Sequence, residues 1–342
     1  MLAQTIPNND FLAYTLSQTK QIQPPQTFDL PNGIAVDVLD NGVISFTPLN
    51  YTKDIILSCA IHGNETAPIE ICNQLIDDIL SLKIELKQRV MFIIGNPEAI
   101  LNKSRFIDEN LNRLFSGAHS KGQGLTNKER HRAKALEAHV ALFFAKNDNK
   151  QRIHYDLHTA IKPSKHEKFA IYPYRPGRSY SAEQIVLLGL CGVNTILYHH
   201  EPTTTFSYYS SNKFNADAFT VELGKVMPFG ENDMQKFAAT QTTLTTLLSE
   251  TNLPQIPFDP THFNLYKVAR SINKHHDDFE FNFSHSTENF TQFTQGELLA
   301  TEGGQQIRIE HDIEAIVFPN ANVPVGQRTV LCLIPAPNED VT

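Results

Sequence analysis

Apolar and polar positions along the chain fall into two periods. Short unbroken apolar runs occur at "KDIILSCAIHG", "RVMFIIGNP", "RIHYDLHTA" and "ADAFTVELGK". Each reads as a buried strand that closes in a loop. Segments with helical spacing lie between them. In "NETAPIEICNQLIDDILSL" the apolar positions Ile69, Leu75, Ile76, Ile79 and Leu80 suit a helix. "NKERHRAKALEAHVALFFAK" reads as a long helix with Asn127 as its N-cap. "AEQIVLLGLCG" and "NDMQKFAATQTTLTTLLSE" read as two more. Ahead of all these come a short helical segment and "GIAVDVLDNGVISFTP", which alternates around the turn signal Asp40-Asn41-Gly42.

Strand and helix alternating at these spacings predict an α/β sheet with helices on both faces. Such sheets build their sites in loops at the carboxyl ends of the strands. His62, Asn96, His158 and Glu222 all fall at or just past such ends. The pattern changes near residue 254. "LPQIPFDPTHF" holds three prolines, and short strands with polar turns follow: "LYKVARSI", "FEFNF", "QIRIE", "AIVFP" and "TVLCLIP". The expected division is a catalytic unit over 1–254 and a small β-rich unit over 255–342.

Composition narrows the class. An apolar fraction of 41% and a charged fraction of 19% over 342 residues are those of a globular protein with a full core. The net charge is −8, from 37 acids against 29 bases, which repels nucleic acid and anionic membrane. An anionic substrate would therefore need a local basic pocket. Residues 1–20 lack the pattern of a signal peptide, and no apolar stretch nears the roughly 20 residues that span a bilayer. Cys59, Cys72, Cys191 and Cys332 are far apart and form no CxxC, as expected of reduced core thiols in a cytoplasmic protein.

Three HxxE pairs occur among the 14 histidines: His62/Glu65, His285/Glu288 and His311/Glu314. The spacing sets a nitrogen and an oxygen ligand one helical turn apart, on one face. With a second histidine it makes the His₂Glu set of catalytic zinc hydrolases. Only His62 follows a buried strand and precedes a helix; the other two pairs are expected on the solvated surface. His158 in "YDLHTA" is the second ligand candidate, against the ordinary alternative of a core or capping histidine. Asp156 projects from the same side of that strand and could hydrogen-bond it. The clusters His199-His200-Glu201 and His275-His276-Asp277-Asp278 read as polar loops. Glu222 is an acid inside an apolar strand, either a buried ion-pair partner or a general base. Arg105, Asn112 and Arg113 lie within nine residues, and arginine suits carboxylate binding and oxyanion stabilisation. A solvated basic loop is the plain alternative, although Leu111, Leu114 and Phe115 surround the Asn112-Arg113 pair.

At this point the motifs form a set. "AIHGNETAPIE", "GNPEAI…R…NLNRLF", "DLHTAI" and "VELGK" occur in the order seen in the succinylglutamate desuccinylase/aspartoacylase family, a branch of the zinc carboxypeptidase fold, and the sequence resembles that family. The resemblance covers residues 60 to 230, and "IVFPNANVPVG" extends it into the C-terminal region. It implies one zinc ion per subunit held by His62, Glu65 and His158, with Glu222 as base. It implies that Arg105 polarises the scissile carbonyl and that Asn112 and Arg113 hold a carboxylate of a small anionic N-acyl amino acid. The implied reaction is hydrolysis of N-succinyl-L-glutamate to succinate and L-glutamate, the last step of arginine catabolism by the succinyltransferase route. An aspartoacylase-like hydrolase of another N-acyl acidic amino acid is the alternative, and a non-enzymatic metal-binding protein a more distant one. No nucleic-acid or membrane partner is expected, and a homodimer is left open. One departure stands out: in "DENLNR" the residue before Leu111 is Asn110, where the family pattern leads one to expect Asp or a similar small polar residue.

Overall fold

The computed structural model describes residues 6–19, 24–122, 126–146, 150–336 and 341–342. It is a mixed α/β fold organised on one 13-stranded sheet. The centre of that sheet is parallel. Arg89–Ile94, Lys53–Cys59, Gln151–Ala160 and Asp217–Lys225 lie side by side in that order. The hairpin Ala35–Asp40/Val43–Thr47 extends one edge. Its turn carries Gly42 at φ +74°, as the Asp40-Asn41-Gly42 signal predicts.

Strand alternation explains why helices cover both faces. Ile55 and Leu57 point into one apolar core and Ile56 into the other. Val90 and Phe92 divide from Met91 and Ile93 in the same way. The first core is closed by Thr66–Leu80, Ala182–Leu190 and Ala238–Ser249. The second is closed by Lys128–Ala145 and Phe206–Phe214. The long helix begins where Asn127 places it: Asn127 Oδ1 accepts the Arg130 N–H at 2.8 Å.

Two elements escape the sequence pattern. Helix Phe206–Phe214 buries Ser207, Ser210 and Ser211 beside the aromatics Phe206, Tyr208 and Tyr209, so serines interrupt the apolar pattern that would mark it. Strand Thr195–Tyr198 is four residues long, too short to display a period.

The C-terminal strands do not form a detached body. Asn264–Asn273 pairs in parallel with Thr195–Tyr198 and carries Arg328–Pro335, Ile313–Val317 and Thr291–Thr294 onto the same sheet. A separate three-stranded sheet, built from Glu280–Phe281, Leu298–Glu302 and Gln305–Arg308, packs beside them. Of the pair His311/Glu314, His311 is exposed as expected, but Glu314 departs from the solvated surface. Glu314 is fully buried, paired with Arg270 at 3.0 Å and with His311 Nδ1 at 2.9 Å. That glutamate is a brace for the C-terminal sheet. His285 and Glu288 are exposed, as expected. The four cysteines are free and buried. Among the described residues, no helix is long and apolar enough to cross a membrane.

Candidate active site

The central strands deliver the site residues by register. Asp156 pairs with Thr220 and His158 with Glu222 across the parallel ladder, so His158 and Glu222 stand on one face as neighbours. His62 lies in the loop after Lys53–Cys59. Glu65 is the N-cap residue of helix Thr66–Leu80. The expected one-turn helical spacing of His62 and Glu65 is therefore a turn just ahead of the helix, closed by the Glu65 N–H on the His62 carbonyl at 3.3 Å. Gly63 makes this turn possible. A Cβ there would overlap the Ala99 carbonyl carbon and the Ile100 nitrogen.

His62, Glu65 and His158 are buried, and each offers a donor atom within 4.8 Å of the others'. Hydrogen bonding assigns the protons. Asn110 Oδ1 already accepts the Asn112 N–H at 3.0 Å, so His62 Nε2, also 3.0 Å away, must donate to it. His158 Nε2 donates to Asp156 Oδ2 at 2.9 Å. Each ring thus turns Nδ1 inward, 2.8 Å from one oxygen of Glu65.

Burial, against the pull of Glu65, lowers His62 to about 4. Neutral His62 then presents a bare Nδ1 lone pair to a carboxylate oxygen. Two acceptors in contact leave room for a cation, and the donor set suits a divalent metal ion. Burial opposes charge on Glu65 too, but the two histidines outweigh it and hold its pKa well below the usual carboxylate range.

A proton chain fixes His158 from behind. Ser58 Oγ donates to Asp156 Oδ1 at 2.6 Å, so it accepts from His154 Nε2 at 2.8 Å. His154 Nδ1 in turn accepts from Ser210 Oγ at 2.7 Å. Asp156 was legible from strand alternation. Ser58, His154 and Ser210 were not, because they come from separate elements and no motif joins them.

Glu222 sits beside this cluster with Oε2 buried and unpartnered. Burial lifts its pKa to about 7, with His158 and Arg105 opposing and Glu65 and Asp156 assisting. No arginine or lysine forms an ion pair with it among the described residues, which disfavours the structural alternative. A carboxylate poised near neutrality with a free oxygen can take and return a proton.

Arg105, Asn112 and Arg113 all line the same cavity of about 1090 Å³, together with His62, His158 and Glu222. Arg105 Nη1 lies 2.7 Å from Glu65 Oε1. Asn112 is buried, and its Oδ1 accepts the Phe206 N–H at 3.0 Å, which leaves its Nδ2 as the amide donor on the cavity side. Solvent reaches Arg113, yet desolvation within the cavity and the nearby Arg105 lower it to about 10. The loop that carries these groups is braced by Glu129. Its buried carboxylate accepts the Ile107 N–H at 2.7 Å, the Asp108 N–H at 3.3 Å and Asn96 Nδ2 at 3.2 Å. Nothing in the sequence marks Glu129, since an acid in the first turn of a helix is ordinary. His199 departs from the expected polar loop: it is buried and lines the cavity, whereas His275 and His276 are exposed.

A mixed sheet flanked by helices on both faces, with a buried His/Glu/His set that could hold a metal ion and a free glutamate at its strand ends, is the frame of a carboxypeptidase-like hydrolase. Sequence comparison gives the family. Residues 51–248 match the Succinylglutamate desuccinylase/Aspartoacylase catalytic domain and residues 261–336 the AstE/AspA barrel-sandwich hybrid domain. The chain belongs to the succinylglutamate desuccinylase/aspartoacylase family. It is 69% identical over 341 residues to the succinylglutamate desuccinylase of Shewanella frigidimarina, covering 100% of both chains. It is 63% identical over 347 residues to that of Shewanella denitrificans, again over 100% of both. Among solved structures, the succinylglutamate desuccinylase of Chromobacterium violaceum matches with a TM-score of 0.85 at 37% identity, over 96% of this chain and 98% of that one.

Proposed function

We propose that this protein is a zinc-dependent amidohydrolase that converts N-succinyl-L-glutamate and water to succinate and L-glutamate. The observation that carries the reading is Glu222: a buried carboxylate with an unpartnered oxygen, lifted to about 7, beside a His/Glu/His donor set and in one cavity with Arg105 and Arg113. The substrate is taken from the names of relatives that match over the full length.

In this mechanism His62, Glu65 and His158 would hold the metal. When bound, zinc supplies Lewis acidity toward the scissile carbonyl and lowers the pKa of water. Glu222 accepts the proton of the attacking water and hands it to the leaving amine of glutamate. Arg105 swings from Glu65 to the carbonyl oxygen and stabilises charge that develops there. Asn112 Nδ2 and the Arg113 guanidinium hold a substrate carboxylate throughout. Asp156 and Asn110 keep the two imidazoles in the tautomer that leaves Nδ1 free. The reading extends to a cytoplasmic enzyme acting last in the arginine succinyltransferase route.

The test is an assay of the zinc-loaded protein against N-succinylglutamate, N-acetylaspartate and other N-acyl glutamates and aspartates. Preference for N-succinylglutamate is expected. Preference for N-acetylaspartate would move the substrate to the aspartoacylase type. Arg113→Ala should mainly raise KM and Arg105→Ala mainly lower kcat, and the reverse pattern would exchange their roles.

A further inference from the structure

The cavity holds a second set of anion-binding groups besides Arg105, Asn112 and Arg113. Arg328 opens the strand Arg328–Pro335, opposite Asn273 in the ladder. It lines the cavity with Arg113 and His199. Among the described residues its guanidinium has no hydrogen-bond or ion-pair partner, and its Nε is buried without one. Burial and the facing charge of Arg113 pull it down to about 9, against the attraction of Glu201. Glu201 attracts it but forms no ion pair with it among the described residues; its carboxylate accepts the Ser271 hydroxyl at 2.8 Å. Arg113 is exposed and Arg328 half-buried, so water screens their repulsion, and an anion between them can take hydrogen bonds from both.

His199 adds an independent observation. It is 5% exposed. Its Nδ1 accepts the Glu201 N–H at 3.3 Å, so the ring proton lies on Nε2. That Nε2 is buried and has no partner. Burial, with Arg328, lowers His199 to about 3, so it stays a neutral donor at any working pH. An orphaned buried N–H beside an unpaired guanidinium is the donor set that a carboxylate satisfies.

Both groups are held in place before anything binds. His199 follows strand Thr195–Tyr198 and its N–H donates to the Tyr172 carbonyl at 2.9 Å. Arg328 lies over the Phe318 ring, 5.8 Å from its centroid. Phe318 adopts φ +57°, a strained conformation for an aromatic residue, and its N–H is fixed on Asn289 Oδ1 at 2.9 Å.

We propose that Arg328 and His199 form a second carboxylate subsite, which reads the terminal carboxylate of the acyl group or of the amino-acid side chain, distinct from the one held by Asn112 and Arg113. The inference rests on the desuccinylase reading for its substrate. N-succinylglutamate carries three carboxylates, and the subsite explains how a chain of net charge −8 gathers so anionic a molecule. It also assigns the C-terminal region a direct part in specificity, since Arg328 lies beyond residue 254.

The test is steady-state kinetics of wild type, Arg328→Met, Arg328→Lys and His199→Gln on three substrates. These are N-succinyl-L-glutamate, N-butyryl-L-glutamate, which lacks the acyl carboxylate, and N-succinyl-L-norvaline, which lacks the side-chain carboxylate. Arg328→Met should raise KM for the parent by roughly 10–100-fold, the scale of a lost charge-assisted bond, while kcat stays near wild type. Arg328→Lys and His199→Gln, which each keep a donor, should lose less. With one of the two analogues the Met variant should lose almost nothing, and that analogue identifies the carboxylate Arg328 holds. Equal losses on all three substrates, or no loss on any, would overturn the subsite. Calorimetric binding of glutarate separates its failure from that of the function. A wild type that hydrolyses no N-succinylglutamate yet binds glutarate more tightly than Arg328→Met sinks the function and keeps the subsite. Equal glutarate binding by the two proteins overturns the subsite whatever the activity.

Discussion

At the scale of single residues, the site depends on where protons sit. Glu222 shows this through stability. An ordinary glutamate ionises near 4.5, whereas buried Glu222 does so near 7. Between those values the unfolded chain loses the proton and the folded metal-free protein keeps it, so stability falls as pH rises through that window. Glu222→Gln removes this component. The difference in melting temperature between the metal-free variant and metal-free wild type should therefore grow in the variant's favour from pH 4.5 to pH 7.5, and a constant difference would mean Glu222 is not buried as described. Asp156→Asn tests the other flank. With the charge behind His158 gone, metal affinity measured by chelator competition should weaken by about 10–100-fold. His158 and Asp156 were readable because a strand alternates with a period of two. His154 was not, because its partners Ser58 and Ser210 are remote in sequence and meet it only through the sheet and the helix packed on it.

At the scale of elements, the strands and long helices were legible because burial on both sheet faces leaves unbroken apolar runs. The site loops were legible only as residue types. Gly63 illustrates why: its requirement is a contact with the Pro97–Leu101 helix, which no local pattern contains. Gly63→Ala should cost about 1–3 kcal/mol in overpacking and also weaken metal binding, because the turn that carries His62 and Glu65 must move. Denaturant unfolding and metal titration of that variant check the two effects together; unchanged stability would show that the close approach is relaxed in solution. Helix Phe206–Phe214 was missed for a related reason. Its buried side mixes aromatics with Ser210 and Ser207, which reach His154 and Thr220, so the apolar stripe that would have revealed it is interrupted.

At the scale of the whole molecule, the chain joins its two matched regions through a shared sheet. The parallel pairing of Thr195–Tyr198 with Asn264–Asn273 puts residues from both regions on the walls of one cavity. A composition shift near residue 254 marks the change of texture in the sequence but does not reveal this junction. Because a metal would bind only the folded His62, Glu65 and His158 set, zinc should raise the melting temperature, and excess chelator should lower it to that of the zinc-free protein. The most direct measurement is the rate of glutamate release from N-succinyl-L-glutamate by the zinc-loaded protein and by zinc-loaded Glu222→Gln, with zinc content determined on both. Turnover by wild type, and a loss of ~10²–10⁴-fold in kcat in a variant that keeps its zinc and its fold, is the expected result. A folded, zinc-loaded Glu222→Gln with wild-type kcat would contradict it.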